Sequence, residues 1–361
     1  MYLGPKAQLY ANEVANNPLA QVFFDYPADN GCGFPDIEDV WDGPTPWAGH
    51  VKKLSYDNLT SRMEPEDHMD SFIARESIKF LKQYKDQPFF LLTSFMKPHT
   101  PFWPPKGWAE LYPPQDLELP EWGDLSGYPP HISYRMPLTR DRKKRLKAHS
   151  AGYRGNLAFV DSCIGQVYHA LEELGLLDNT IVVYTSDHGE MDGDHGMFQK
   201  FCLFEPSIKV PLIISYPKSL PVNKVSEALI EQIGLYPTLC DLVGIEQPKS
   251  VTNYPVPNAP EKMDGISFAN LIQDPTKEGP SEVYAEYALR SNLNMYMIRA
   301  KRYKYVHNHT STHELYDIQE DPNENHNLIN EMGLQGIVRE LRDKLYKWYD
   351  PEQNPFRGTE R

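Results

Sequence analysis

Three short apolar segments, separated by stretches with helical periodicity, constrain the fold of this chain most strongly. The segments are PFFLLTSF (Pro88–Phe95), the IVVY run that ends before Thr185, and KVPLIISYP (Lys209–Pro217). Continuous apolar runs of this length are typical of strands that are buried on both faces of a parallel sheet. Because helical patterns lie before and between them, the sequence predicts an α/β fold with a mostly parallel sheet flanked by helices.

The helical pattern occurs in three places. Residues 69–84 place apolar side chains on a broad stripe, and a pattern from about Leu138 to Leu177 ends near Gly175, a plausible C-terminal cap. A third stretch, EALIEQIGLYPTLCDLVGI, follows the last apolar run. Residues 1–65 and the proline-rich segment 104–140 show little periodicity and are interpreted as mostly loop.

The pattern changes after about Pro248, where a linker rich in proline and asparagine begins. Short alternating segments such as SEVYAEYAL and NMYMIRAKRYKYVHN follow, and the last helical stretch is GIVRELRDKLYKWYD. We therefore predict an α/β domain over residues 1–250 and a small C-terminal α+β subdomain over residues 251–361.

Charge and composition exclude some classes of function. The net charge of −14 and the pI near 5.3 argue against a nucleic-acid partner and against an anionic membrane surface. No apolar run reaches the length of a membrane span. The first residues, MYLGPKAQLYANE, lack the basic and apolar stretches of a secretory signal, so the compartment stays open. The cysteines show no metal-type spacing and are expected to be free or buried thiols, namely Cys32, Cys163, Cys202 and Cys240.

Residues with catalytic or ligand chemistry follow two of the predicted strands. They are Lys97 and His99 after the first apolar run, and Asp187, His188, His195 and Lys200 after the second. In open α/β sheets ligands bind beyond the carboxyl ends of the strands. A carboxylate with an imidazole suits a metal ion, a lysine neutralises an anion, and a histidine donates a proton. Each feature alone also fits an acidic turn, a solvated lysine or a rigid loop histidine.

Four segments in order resemble motifs of the sulfatases in the alkaline phosphatase superfamily. They are FMKPHTPF, the helix and strand in YRGNLAFVDSCIGQVYHALEELGLLDNTIVVYTSDHG, the segment TSDHGEMDGDHGMFQKFCLFEPSIKVPLII, and HELYDIQEDPNENHNLI. The resemblance runs from about Asp67 to the C-terminus. The Asp-His pair, in place of the more frequent Asp-Asn, resembles iduronate-2-sulfatase-like members and phosphonate monoester hydrolases.

The resemblance implies a role for each candidate. Asp187 and His188 would be metal ligands for Ca²⁺ or another divalent cation. Lys200 would bind the sulfate oxygens, and His99 would protonate the leaving group, with Lys97 beside it. In addition, we take His195 as a candidate substrate contact.

The resemblance also implies a reaction, the hydrolysis of a small-molecule or carbohydrate sulfate ester by a formylglycine made from Cys or Ser. The aromatic loop TPFWPPKGW favours a sulfated carbohydrate, because Trp103 and Trp108 could stack on a sugar ring, although ordinary loop packing explains them equally.

Two expected parts of such a site do not occur in the 361 residues. The Cys/Ser-x-Pro/Ala-x-Arg motif that supplies the nucleophile is absent, and so is an adjacent Asp-Asp pair after an apolar run. The metal would keep two protein ligands, too few for a tight hard-cation site. We therefore expect this polypeptide by itself to be poorly active or inactive.

Two other functions stay open. A phosphonate or phosphate ester hydrolase of the same superfamily fits the Asp-His pair, although KPHTPF favours a sulfatase. A non-catalytic homologue that binds a sulfated ligand fits the missing nucleophile. The intact set of Asp187, His188, Lys200 and His99 speaks against that second alternative.

Overall fold

A computed structural model describes residues 60–61, 63–100, 102–121, 140–247, 265–287, 294–309 and 311–348. The chain forms two compact units. The first consists of the described residues up to Leu119 and from Arg140 to Leu176, and the second continues from Leu177 and includes Pro120 and Glu121. The units do not follow the predicted boundary at residue 250, because the segment around Leu203 packs its apolar side chains on the C-terminal sheet.

Among the described residues, helices occur in both units and strands in the second. The α-helices of these ranges are α1 (Met69–Tyr84), α2 (Arg140–Glu173), α3 (Glu205–Ile208), α4 (Leu235–Val243), α5 (Ala269–Gln273) and α6 (Gln335–Trp348). The strands are β1 (Val182–Thr185), β2 (Leu212–Ser215), β3 (Glu282–Tyr287), β4 (Met295–Ala300), β5 (Tyr303–Asn308) and β6 (Glu314–Asp317). Of the helices described, none combines the length and the apolar character that crossing a membrane requires.

Helices α1 and α2 pack against each other in the first unit, and the helix predicted over residues 69–84 is confirmed. Their shared core contains Ala74, Phe159 and Cys163. Helix α2 ends as predicted near Gly175, which has a φ of 66°. There the N–H of Gly175 donates to the Glu172 carbonyl, and the next N–H donates five residues back, the hydrogen-bond pattern of a Schellman cap.

The segment Pro88–Phe95 forms neither helix nor strand, and it pairs with no strand among the residues the structure describes. Side chains at alternate positions from Phe89 to Phe95 are half-buried, whereas Phe90 and Leu92 between them are 79% and 78% exposed. Within the described part of the chain, this run therefore lacks the burial on both faces that its composition predicts. An apolar composition shows that a segment can be covered, but the covering neighbours come from elsewhere in the chain.

Strands β1 and β2 pair antiparallel, from Val182 opposite Ser215 to Thr185 opposite Leu212. Helices beside sheets agree with the predicted α/β class, but this pair does not have the predicted parallel order. A parallel connection needs a crossover, usually through a substantial helix. The connection from β1 to β2 contains only the four-residue helix α3 and one 3₁₀ turn, so the chain returns in the opposite direction.

The C-terminal strands form the antiparallel sheet β3-β4-β5-β6, and α6 packs on it. The core between them contains Tyr296, Ile298, Tyr305, Leu315, Val338, Leu341 and Leu345. This arrangement agrees with the small α+β subdomain predicted for the C-terminal part of the chain.

Candidate functional site

The loop after β1 places the two candidate metal ligands side by side. The Asp187 side chain is 84% exposed, and that of His188 is 31% exposed. Oδ1 of Asp187 accepts the backbone N–H of His188 at 3.0 Å, and Ser186 Oγ donates to the His188 carbonyl at 2.8 Å. These local hydrogen bonds fold the segment into a tight turn, which is typical of Ser and Asp at the start of a loop.

The hydrogen bond of the His188 ring determines which nitrogen is available to a ligand. Nδ1 lies 2.7 Å from the Gly189 carbonyl oxygen, which only accepts, so Nδ1 carries the hydrogen. In the neutral ring Nε2 then has the lone pair, and it lies 3.4 Å from Oδ2 of Asp187. Two acceptors at this separation are stabilised by a positive charge that both can contact.

This geometry fits part of a divalent-cation site. Two ligand atoms about 2.4 Å from one ion and at about a right angle are separated by about 3.4 Å. A carboxylate oxygen suits Ca²⁺, and an imidazole nitrogen extends the choice to transition metals. No group of three or more metal-ligating side chains occurs within the described ranges. A divalent-cation site built on Asp187 and His188 would need further ligands, and the metal role of this pair stays a prediction.

Gly189 is required by a close backbone approach. A Cβ atom at this position would lie 1.9 Å from the carbonyl oxygen of Pro206. The N–H of Gly189 also donates to the Ser207 carbonyl at 2.7 Å. Since any side chain would push the loop away from α3, the glycine fixes the carbonyl that receives the His188 ring.

The loop segment Glu190–Gln199, here called the excursion, is closed by hydrogen bonds between its first residues and its last. The N–H of Met191 donates to the Gln199 carbonyl at 3.1 Å, and the Glu190 carboxylate accepts the N–H of Gln199. Burial raises the pKa of Glu190, and the positive charge of Lys200 opposes that shift. Lys200, the candidate sulfate-binding residue, is the next residue after Gln199, where these hydrogen bonds close the excursion.

Three non-glycine residues of this excursion have left-handed backbone conformations. Their φ angles are 41° at Asp192, 51° at His195 and 69° at Gln199. Each such residue costs roughly 1 to 3 kcal/mol, and this strain persists where the surrounding structure determines it. Strained residues cluster at ligand-binding loops, so the excursion has a property that functional loops share.

His195, the candidate substrate contact, is buried. Its ring stacks on Phe204, with 4.0 Å between the ring centroids and 19° between the planes. The ring of Phe204 belongs to a small core with Met191, Cys202 and Tyr316. In the structure His195 thus packs the excursion against that core, and its substrate contact stays a prediction.

The second candidate loop lies in the first unit and depends on a buried acid of α1. Oδ1 of Asp70 accepts the backbone N–H groups of Met96 and Lys97 at 2.7 Å and 3.2 Å. A turn follows in which the His99 N–H donates to the Met96 carbonyl at 3.1 Å, and the Lys97–Pro98 peptide is cis. Asp70 thereby attaches the loop to a helix.

The exposed His99 ring has a defined hydrogen position, whereas the side chain of Lys97 is buried. Nδ1 of His99 lies 2.7 Å from the Thr100 carbonyl, so this nitrogen carries the hydrogen and Nε2 has the second proton-binding position. A histidine that donates a proton to a substrate from Nε2 needs this arrangement.

Some other residues singled out in the sequence have a packing role. Trp108 makes an edge contact with Phe159 at 5.2 Å between ring centroids, which agrees with loop packing. Cys163, Cys202 and Cys240 are free and buried as expected, and burial raises the pKa of Cys202 to about 12. Cys32 lies outside the described residues.

In the second unit, hydrogen bonds through Ser207 connect Lys200 to the loop of Asp187 and His188, and in the first unit Lys97 and His99 lie on one loop. Sequence reasoning missed Asp70 and Ser207, which hold these loops. A signal for Asp70 exists, because an acid on the buried face of an amphipathic helix needs partners there. Ser207 gives no comparable signal.

Comparison with known proteins identifies the family. The profile described as "Sulfatase" matches residues 8–245, and "N-sulphoglucosamine sulphohydrolase, C-terminal" matches residues 193–350. The chain belongs to the sulfatase family. An arylsulfatase from Clostridium perfringens (strain 13 / Type A) is 31% identical over 288 residues, which cover 78% of this chain and 57% of that protein. This sulfatase chain therefore spans less than two thirds of the length of that relative.

Solved structures show the same fold as this sulfatase chain. A protein in complex with its substrate D-glucosamine-2-N,6-O-disulfate is 22% identical, with a TM-score of 0.69 over 79% of this chain and 71% of that chain. The phosphonate monoester hydrolase from Silicibacter pomeroyi is 23% identical, with a TM-score of 0.73 over 90% of this chain and 68% of that chain. The predicted sulfatase-like α/β fold is confirmed.

Proposed function

We propose that this chain carries the metal-binding, sulfate-binding and leaving-group parts of a sulfuric ester hydrolase that acts on a sulfated carbohydrate. The observation that supports the proposal most is the pair formed by Asp187 Oδ2 and His188 Nε2, 3.4 Å apart, with the His188 hydrogen held on Nδ1. The pair lies within the part of the chain that matches the sulfatase profile.

Asp187 and His188 would hold a divalent cation, with Ca²⁺ as the first choice. When bound, the cation supplies positive charge against the oxygens of the sulfate group. Lys200 adds a second positive charge, and its backbone is fixed where the excursion closes. The residues of this chain therefore bind and orient an anionic ester group.

His99 would donate the proton to the leaving oxygen. Its Nδ1 is occupied by the Thr100 carbonyl, so the transferred proton belongs to Nε2. The backbone N–H of Lys97 is one of the two that Asp70 fixes, and we assign Lys97 to the same end of the substrate as His99. The proposal for this chain covers binding and proton transfer, since the 361 residues contain no Cys/Ser-x-Pro/Ala-x-Arg motif for a formylglycine nucleophile.

The proposed substrate class rests on one structural neighbour and on one family profile that matches the C-terminal part of the chain. The neighbour in complex with D-glucosamine-2-N,6-O-disulfate acts on a sulfated amino sugar. The C-terminal part of this chain matches a profile named for a sulphoglucosamine sulphohydrolase. Both favour a sulfated sugar over a simple aryl sulfate.

The direct test is a calorimetric titration of the full chain with D-glucosamine 6-sulfate in the presence and absence of CaCl₂. We expect saturable binding that depends on Ca²⁺, and at least tenfold weaker binding by Lys200→Ala. Lys224→Ala, which removes an exposed lysine of the same unit, is the matched control. Equal affinities for the two lysine variants would contradict the proposed role of Lys200.

A phosphonate ester hydrolase is the second candidate, and the similarity to the Silicibacter pomeroyi enzyme fold favours it. Parallel assays with 4-nitrophenyl sulfate and 4-nitrophenyl phenylphosphonate separate the two candidates. Faster turnover of the phosphonate would replace the sulfatase proposal.

A further inference from the structure

The four-residue helix α3 is the point at which the two functional segments of the second unit meet. The carbonyl of Ser207 accepts the N–H of Gly189 at 2.7 Å, next to His188. The Oγ of Ser207 donates to the Lys200 carbonyl at 2.9 Å. One residue of α3 thus connects the loop of the candidate metal ligands to the candidate sulfate-binding lysine.

Helix α3 is itself held by charged residues that come from the C-terminal sheet and the loop after it. Lys304 of β5 pairs with Glu324, and both side chains are fully buried. Lys304 Nζ also donates to the Leu203 carbonyl at 2.9 Å and lies 3.2 Å from Glu205 Oε1. The Glu324 carboxylate accepts the N–H of Glu205, the first residue of α3, at 2.7 Å.

Two basic and two acidic side chains meet in this cluster, since Nε of Arg299 lies 3.4 Å from Oε1 of Glu205. Burial raises the pKa of Glu324 to about 7, although the charge of Lys304 opposes this shift. Burial by itself would raise the pKa of Glu205, but Lys304 and Arg299 lower it overall, which keeps this carboxylate ionised. A buried ion pair contributes little net stability compared with apolar residues of similar volume, so global stability alone does not explain this cluster.

We propose that Lys304 and Glu324 are positioning residues for the site, which fix α3 and, through Ser207, set the placement of Lys200 relative to the Asp187–His188 loop. The proposal rests on the proposed function for the identity of the ligands. The contacts connect the ion pair to the site without a gap. Lys304 binds the Leu203 carbonyl and Glu324 binds the Glu205 N–H, and Ser207 follows two residues later.

These contacts should affect the affinity for the ligand. A site that holds a cation with one segment and an anion with another loses affinity when the distance between the segments varies. The C-terminal sheet, which contains neither candidate ligand, thereby determines the geometry of both.

The test uses the full 361-residue chain and the double substitution Lys304→Met with Glu324→Leu, which removes both charges and keeps the volume. Arg302→Met is the matched control, because it breaks the partly exposed pair with Asp317 in the same sheet and leaves α3 alone. The readouts are amide hydrogen exchange at Gly189, the urea midpoint, and the affinity for Ca²⁺ with D-glucosamine 6-sulfate.

We expect the double variant to keep a urea midpoint near that of the wild type, while Gly189 exchanges at least tenfold faster and the sugar-sulfate affinity falls at least fivefold. The Arg302→Met control should leave exchange and affinity unchanged. Wild-type exchange at Gly189 in the folded double variant would overturn the proposal. Exchange tests the network without any ligand, so a wild type that binds no sugar sulfate would count against the proposed function alone.

Ser207→Ala keeps the test decisive if the double variant does not fold. It removes the hydrogen bonds of the Ser207 hydroxyl to the Lys200 carbonyl and to the Cys202 thiol, and it leaves the buried ion pair in place. We expect weaker sugar-sulfate binding with Gly189 still protected, because the backbone carbonyl of residue 207 remains. Unchanged affinity in this variant would overturn the role assigned to Ser207.

Discussion

The buried carboxylate of Asp70 accepts the backbone N–H of Met96 at 2.7 Å, although 26 positions separate the two residues. The same oxygen accepts the next N–H, that of Lys97. An ionised acceptor with two backbone donors is stronger than a neutral one. Asp70 therefore attaches the loop that contains His99 to helix α1. Removing the Asp70 carboxylate should weaken the hydrogen bonding of that loop.

Substitution Asp70→Ala should lower the free energy of unfolding by roughly 1 to 3 kcal/mol, because the buried N–H of Lys97 and the partly buried N–H of Met96 lose their acceptor. Asp70→Asn keeps the side-chain oxygen and should lose less. Urea unfolding combined with amide exchange at Met96 and Lys97 measures both effects. Ser77→Ala on the same helix is the matched control, since it breaks the 3.0 Å contact between the hydroxyls of Ser77 and Thr93. Unchanged exchange at both amides in Asp70→Ala would show that the carboxylate does not hold the loop.

Substitution Gly189→Ala should disrupt the Asp187–His188 loop. The added Cβ would lie 1.9 Å from the Pro206 carbonyl oxygen, so the backbone has to move, at a cost of roughly 1 to 3 kcal/mol. Gly336→Ala in α6 is the control, since no atom lies within 4 Å of the position that its added Cβ would take. This variant should raise the free energy of unfolding by up to roughly 1 kcal/mol. Equal unfolding midpoints for the two variants would contradict the close approach.

The stability of the C-terminal subdomain should fall in mild acid because of His307. This ring stacks on His313 at 4.5 Å, and its Nδ1 lies 2.9 Å from the Tyr346 hydroxyl. Burial lowers the pKa of His307 from 6.5 to about 4, with smaller contributions from His313 and His309. The unfolded chain therefore binds more protons than the folded chain between pH 6.5 and pH 4, and stability decreases as the pH falls through this window.

The expected loss from His307 is roughly 2 to 3 kcal/mol between pH 7 and pH 4. Urea unfolding at several pH values measures it, with tyrosine fluorescence as the signal. His307→Phe keeps an aromatic ring without the titrating nitrogen and should flatten the profile. A variant with the same acid dependence as the wild type would assign the effect to other groups.

The helices of this chain follow from local sequence more closely than its strands do. The stripe of apolar residues over Met69–Tyr84 predicts α1 with the observed bounds, because the pattern reports which face packs. The stretch 227–245 predicts a longer helix than α4, which begins at Leu235. Pro237 explains the start, since proline fits only the first turn of a helix.

The strand pairing and the supports of the site could not be predicted in the same way. The antiparallel order of β1 and β2 depends on how the connection returns, and the exposed face around Phe90 depends on distant neighbours. Asp187 and His188 are adjacent in sequence, so their proximity could be predicted. Lys304 lies 101 positions from its acceptor Leu203, and no local pattern indicates that contact.

The most direct test of the proposed site is a calorimetric titration of the full chain with CaCl₂, made in parallel on wild type, Asp187→Asn and Asp178→Asn. Asp178 is an acid shortly before β1, so its variant has the same change of charge without touching the loop. We predict saturable Ca²⁺ binding by the wild type and by Asp178→Asn, and at least tenfold weaker binding by Asp187→Asn. Equal affinity in Asp187→Asn, or no binding by the wild type, would contradict the assignment of Asp187 and His188 as metal ligands.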